Sequence, residues 1–333
     1  MTKIAKARTE WQNRVMTKRQ KLVRVAVLLG GISSERSVSL QSGREVLRHL
    51  PEQYIGKAYD PKKDLPKLFA DAKAGKIDIA FNALHGPSGE DGRIQGFLDT
   101  LGIPSTGSGV LASALAMDKS MAKRVYNSDG IPSPRAVQIK AGDWKHHKEE
   151  LLKLISHDIK SPIVVKPNSS GSSVAITVKP IKADWSRAIS KALKEDGKSC
   201  LVEAFHKGRE LTIPILEKKG IPRALPVIEI RTKRTFFDYE AKYEGASEEI
   251  CPAPIPEEVR TQAQNLALDA HAVLGCKGYS RTDIIWQDSG LFVLETNTLP
   301  GLTKMSLFPQ SAKVAGITFA ELLDQILQEG LRA

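Results

Sequence analysis

Short apolar runs alternate with polar, glycine-rich stretches along the first third of the chain. "KLVRVAVLLGG" reads as a buried strand running into a glycine turn, and "SVSLQSGREVLRHL" follows with apolar positions at helical spacing. "KIDIAFNAL" (76–84) is again strand-like and leads through "HGPSGEDG" into a helix from about Arg93 to Leu101. Alternating strands and helices predict a parallel α/β unit over roughly residues 21–107. In such units ligand loops gather at the carboxyl ends of the strands. Glu35 and His85 both fall in loops of that kind.

From about residue 108 the texture changes. A long helix is expected across "SALAMDKSMAKRVY", and "GIPSPRAV" supplies a turn and a strand. "PIVVKP", "VAITV", "SCLVEAF", "RELTIPIL" and "ALPVIEI" are short strand candidates, interrupted by a helix near 183–194, which predicts α+β structure. Arg231 to Pro254 shows no sustained periodicity but carries aromatics, a composition that suits a functional lid better than disorder. A helix (256–274), two strands ("YSRTDIIWQ", "LFVLETN") and a terminal helix (about 317–331) complete the pattern.

Composition adds boundaries. With 333 residues, 41% apolar and 26% charged, the chain has an ordinary globular make-up. No apolar stretch approaches the roughly 18 residues that cross a bilayer, and the start lacks the apolar core of a secretory signal. These features point to a cytosolic protein with no membrane partner. The net charge of +11 is uneven: residues 1–24 hold eight Lys and Arg against Glu10 alone, leaving +4 for the rest. That remainder suits a binder of anionic nucleotides, and without interleaved aromatics it does not suit nucleic acid. "MTK" recurs at Met1 and Met16, so Met16 is the expected natural start, with a transit peptide as the other reading of the leader. Cys200, Cys251 and Cys276 lack any CxxC spacing and read as unpaired structural thiols.

Candidate chemistry sits in two places. The turn "QDSG" would fold "RTDIIWQDSGLFVLETN" into a hairpin with Asp283 alongside Glu295 and Asn297, the last two on one face. Carboxylates and an amide oxygen suit Mg²⁺, which completes its shell with phosphates and water, although the pattern also fits a solvated hairpin. The second place is "KPNSSGSSV" (166–174), a Gly/Ser loop whose lysine precedes it, the reverse of a P-loop. Taken alone, Lys119 and Lys166 read as surface lysines. An unpaired lysine ending the buried run "IVVK" would nevertheless need an anion, and with Lys242 the two could neutralise a triphosphate from several sides.

The co-linear motifs "GGISSERSVSLQSG", "LHGPSGEDGRIQGFLDTLGIPSTGSGVLASALAMDK", "IVVKPNSSGSSV", "FFDYEAKY", "GYSRTD" and "LETNTLPGLTKMSL" closely resemble the D-alanine–D-alanine ligases of the ATP-grasp superfamily over residues 21–330. The resemblance implies an ATP-grasp fold: a basic extension (1–20), an N-terminal parallel α/β domain (21–107), and central (108–207) and C-terminal (208–333) α+β subdomains, the last with an omega-type lid loop. It implies ATP and D-alanine as substrates, two Mg²⁺ ions with Mn²⁺ as an alternative, a homodimer, and a cytoplasmic role in peptidoglycan precursor synthesis.

By the same resemblance, Lys119, Lys166 and Lys242 bind phosphates, with Ser172 in the loop covering them. Glu203 and Glu210 contact adenine and ribose, and Phe205 and His206 lie in the adenine segment. Asp283, Glu295 and Asn297 hold the metal ions. Glu35 takes the first substrate's ammonium and is joined by Ser172 and Tyr243, while His85 lies near the first carboxylate. Arg281 and the Gly301 N–H serve the oxyanion, and Ser306 with the Leu307 N–H captures the second carboxylate. Two departures stand out: Ser170 where many relatives are acidic, and Lys304 with Met305 ahead of Ser306. Tyr243 is the residue expected of a dipeptide-forming enzyme. A ligase using D-lactate or D-serine second, and a degenerate nucleotide-binding regulator, remain the alternatives.

Overall fold

A computed structural model of the chain describes residues 22–160, 162–171, 175–232 and 247–332. Its first layer is a parallel sheet in which β1 (Val23–Leu28) lies between β2 (Tyr54–Tyr59) and β3 (Ile79–Asn82). The apolar run of β1 is buried on both faces, as parallel strands require. Val25 and Val27 join Ile79 and Phe81 in one cluster, whereas Ala26 and Leu28 pack with Ala80 and Leu98 on the other side. Helix α1 (Arg36–His49) follows β1, and α2 (Pro61–Lys73) follows β2. Asp60 starts α2 by accepting from the Lys62 N–H, with proline in the first turn. α3 (Arg93–Thr100) closes the unit.

The expected long helix is two. α4 (Val110–Met117) and α5 (Lys119–Ser128) break at Asp118, which has extended backbone and accepts from the Met121 N–H as the cap of α5. The N–H groups of Lys119 and Ser120 also donate to the backbone and side-chain oxygens of Asn168. A polar residue with its own cap partners thus outcompetes helix continuation, and Lys119 is left at a helix start facing the 166–171 loop.

The second sheet is antiparallel, in the order β4 (Ala136–Lys140), β7 (Ser199–Ala204), β5 (Ile163–Pro167), β6 (Thr177–Val178). Its apolar face packs on α7 (Lys148–Asp158) and α8 (Trp185–Asp196) through Ile155, Trp185 and Ile189. α6 (Ala141–His146) links β4 to α7. Of "VAITV" only β6 is strand among the described residues.

The third sheet runs β11 (Ser247–Ile250), β10 (Ile228–Thr232), β8 (Arg209–Lys218), β12 (Tyr279–Gln287), β13 (Gly290–Asn297), with β9 (Ile221–Ala224) on the far half of β8. The ends of the aperiodic 231–254 stretch therefore pair as strands, while 233–246 lie outside the described residues. α9 (Glu257–Val273) covers one face, where Ala263, Ala267 and Ala270 bring its backbone close to Leu211, Ile213 and Ile284. α10 (Leu307–Val314) and α11 (Phe319–Gly330) end the fold. Leu322, Leu323, Ile326 and Leu327 of α11 share a core with Val25, Val27 and Phe81, so the last helix covers the first sheet. The three cysteines are free, and burial pushes the Cys200 and Cys276 thiols up to about 12.

Candidate active site

The face of the third sheet opposite α9 forms the floor of a cleft of about 760 Å³. Arg281 pairs with Asn297 and Asp283 with Glu295 across β12 and β13, and directly paired residues share a face. A register shift follows, with Ile284 opposite Val293, so Leu294 is the extra residue of a β-bulge. Val293 packs among the apolar residues under α9, yet Glu295, two residues on, lines the cleft. The bulge inverts the strand's alternation and so delivers both Glu295 and Asn297 to the floor.

Asp283 is the hub. Arg281 donates to both its oxygens at 2.9 and 2.8 Å, Thr212 Oγ1 donates to Oδ1, and Asn297 Nδ2 donates to Oδ2 at 3.2 Å. Burial works against the Arg281 charge, but Asp283, helped by Glu295 and Glu90, outweighs it and raises the arginine's pKa. Among the described residues no three His, Cys, Asp or Glu gather as a self-sufficient metal cage. Two carboxylates and an amide oxygen on one face are a partial set of hard donors. Such a set fits Mg²⁺ completed by nucleotide phosphates and water.

The opposite wall brings in the lysine and loop residues. Lys119 Nζ donates to the Ser170 carbonyl at 2.9 Å and lies 3.4 Å from Glu295. Lys166 is buried, its ammonium 2.6 Å from Glu203, whose other oxygen lies 3.1 Å from Lys123. Burial lowers the pKa of Lys123. It opposes the Lys166 charge too, but Glu203 and Glu295 more than compensate and raise that lysine. Burial likewise opposes the Glu203 charge, and the two lysines together hold its pKa below the ordinary range. Lys123 was not anticipated; its one signal is its place one helical turn after Lys119.

Lys166, Glu203, Phe205 and His206 sit outside the lining of this cleft. Phe205 and His206 lie in the link from β7 to β8. Lys179 stands 5.1 Å above the Phe205 ring, and His206 meets Phe292 at 4.2 Å. His206 Nδ1 is buried with no partner among the described residues, and burial lowers that histidine's pKa. Glu210, at the start of β8, does line the cleft.

At the first sheet's end of the cleft, Glu35 precedes α1 and its carboxylate presses on two glycines. A Cβ on Gly171 would fall 2.5 Å from Glu35 Oε2, and one on Gly86 would fall 2.7 Å away. His85 is buried, with Nε2 3.0 Å from Ser42 Oγ. At the other end Ser306 stands at the N-cap position of α10 without a side-chain bond to the helix; its Oγ accepts from the Thr303 N–H at 3.0 Å, and a Cβ on Gly301 would come within 2.7 Å of it. Leu307 begins the helix there. Glu249 and Gln310, also unforeseen, line the same end, with Gln310 Nε2 donating to Glu249 at 2.7 Å. Burial raises the Glu249 pKa, with Gln310 and Arg281 opposing. Ser172, Lys242 and Tyr243 lie outside the described residues.

Two family models match the chain: the D-ala D-ala ligase N-terminus over residues 56–108 and the D-ala D-ala ligase C-terminus over 125–328. Among relatives, a D-alanine–D-alanine ligase of Desulfotalea psychrophila is 48% identical over 94% of this chain and 96% of its own. One of Syntrophobacter fumaroxidans is 45% identical, over 92% of this chain and 97% of its own. The solved D-alanine–D-alanine ligase of Bacillus anthracis in complex with ATP superposes with a TM-score of 0.78 at 33% identity, covering 93% of this chain and 98% of that one. The VanG D-Ala:D-Ser ligase of Enterococcus faecalis gives 0.79 at 29% identity, covering 93% and 99%.

Proposed function

The chain belongs to the D-alanine–D-alanine ligase family, and from that membership we propose that it joins two D-alanines into D-alanyl-D-alanine at the expense of ATP, for peptidoglycan precursor synthesis. The observation that carries this reading is the convergence of Glu35, Lys119, Arg281, Asp283, Glu295, Asn297 and Ser306 on one cleft.

A carboxylate oxygen is a poor leaving group, so the carboxylate of the first D-alanine is phosphorylated by ATP, with ADP released. The free amine of the second D-alanine then attacks the carbonyl carbon of this acyl phosphate. The C–O bond to phosphate breaks, phosphate leaves, and the nitrogen sheds a proton as the amide forms. Positioning and charge stabilisation dominate such a reaction.

Glu35 holds the first ammonium, close to Gly171 of the phosphate loop, with His85 near the first carboxylate. Lys119, in the cleft, and Lys166, behind it with its ammonium on Glu203, are assigned to the phosphates, and Glu203, Phe205, His206 and Glu210 to the nucleotide. Asp283, Glu295 and Asn297 would hold two Mg²⁺ ions, or Mn²⁺ in their place. When bound, the ions neutralise charge on the transferring phosphoryl group. Arg281 and the Gly301 N–H meet the oxyanion, and Ser306 with the Leu307 N–H binds the second carboxylate. Ser172, Lys242 and Tyr243 complete the assignment as residues closing over the first substrate and phosphates. The same reading includes a homodimer acting in the cytoplasm; no helix among the described residues is long and apolar enough to cross a membrane.

The deciding experiment measures ADP release with Mg-ATP and D-alanine, L-alanine, D-serine, or D-lactate with D-alanine, identifying products by mass. D-alanine-dependent ADP with D-alanyl-D-alanine as main product is expected. A preferred mixed product would move the second substrate to D-serine or D-lactate. ATP binding with no turnover on any substrate would sink the ligase assignment.

A further inference from the structure

We propose that Glu249 is a specificity-determining residue for the second substrate: its carboxylate favours a net-neutral amino acid over a hydroxy acid of the same shape. This rests on the ligase reading above and adds a residue that it does not use.

Glu249 reaches the cleft from β11, the edge strand of the floor sheet, as the cross-strand neighbour of Ile230, which also lines the cleft. Its carboxylate is fixed from the far side. Gln310 Nε2 on α10 donates to Glu249 at 2.7 Å and to the Met305 carbonyl at 3.0 Å. One amide therefore ties Glu249 to the loop that carries Lys304 and Ser306. Lys304 and Glu249, a cation and an anion, both line the cleft at this end. Arg281, the other cation lining this part of the cleft, is already engaged by both oxygens of Asp283.

D-alanine reaches this end as a zwitterion, with a carboxylate and an ammonium. D-lactate keeps the carboxylate and replaces the ammonium with a neutral hydroxyl, so it arrives with a net negative charge. Lys304 suits the carboxylate that both share and, as a cation, gives no advantage to the zwitterion over the net anion. Glu249 attracts the ammonium of one and opposes the net anion of the other. In a partly desolvated cleft a single charge acts over several ångströms, enough for about a tenfold preference or more.

Glu249→Gln keeps the shape and can still hydrogen-bond Gln310, which makes it the variant of choice. Fixed D-alanine and Mg-ATP are supplied with varied D-lactate, and D-alanyl-D-lactate is measured against D-alanyl-D-alanine by mass. The proposal expects the depsipeptide-to-dipeptide ratio to rise about tenfold, with the KM for ATP unchanged and the KM for the second D-alanine raised. Lys304→Gln should lower both products without raising the ratio, the opposite of Glu249→Gln, and Glu249→Asp should keep most of the wild-type ratio. An unchanged ratio in Glu249→Gln, whether the products stay level or fall in parallel, overturns the proposal by reducing Glu249 to packing. A wild-type enzyme making no dipeptide would instead overturn the ligase reading.

Discussion

The Glu35 carboxylate occupies the space that a side chain on Gly171 would need, 2.5 Å from where a Cβ would sit. The first sheet's leading loop thus touches the phosphate loop directly, although the two are more than a hundred residues apart in the chain. Gly171→Ala should push Glu35 and the loop apart and lower kcat/KM for the first D-alanine by about tenfold or more, since small misplacements at a reacting centre are costly. Gly142→Ala is the control, because a Cβ there meets nothing within 4 Å. Steady-state kinetics on both variants checks this; equal behaviour would refute it.

Glu203 is shut between Lys123 and Lys166, with all three side chains almost fully buried. Glu203→Gln leaves two buried ammonium groups without their counter-charge and is expected to cost ~3–5 kcal/mol of stability. Urea denaturation measures this directly. A loss below about 1 kcal/mol, the scale of an exposed pair, would mean that the triad is solvated in solution.

Asp283 receives hydrogen bonds from Arg281, Thr212 and Asn297 while sharing the floor with Glu295. Asp283→Asn should weaken Mn²⁺ binding to the nucleotide complex, followed by paramagnetic resonance, and should reduce turnover by about 100-fold or more. Unaltered Mn²⁺ affinity would remove Asp283 from the metal set.

Asp60 is held down to about 2, chiefly by the Arg36 guanidinium and in part by the Gly31 N–H, against the opposing effect of burial. Its folded pKa lies below the unfolded value of about 3.9, so its stabilisation is complete above that value and is lost as pH falls toward 2. Asp71, lowered to about 2 by Lys57, titrates in the same window. Unfolding free energy should therefore fall steeply between about pH 4 and pH 2, and Asp60→Asn should flatten part of that slope. Denaturation series at several acid pH values test this, and an identical slope in the variant would count against it.

The hairpin was legible because both its signals are local. "QDSG" marks the turn, and the strands fall at Tyr279–Gln287 and Gly290–Asn297, as the apolar pattern indicates. The parallel character of the first sheet was readable for the same reason. The break at Asp118 was not, because it depends on Asn168, fifty residues away, supplying partners for the start of α5. Glu249 stayed hidden inside an aperiodic stretch, since only pairing with β10 brings it to the cleft.

By itself the sequence determined the order of the motifs, the strand and helix character of the periodic segments, and the residue types available for phosphate, metal and substrate. These follow from turn chemistry, periodicity and side-chain chemistry, all of which act over a few residues. Tertiary structure alone decided the reversal of alternation at Leu294, the burial of Lys166 against Glu203, and the meeting of Glu35 with Gly171. Each depends on strand register or on the approach of distant segments, and no local pattern encodes either.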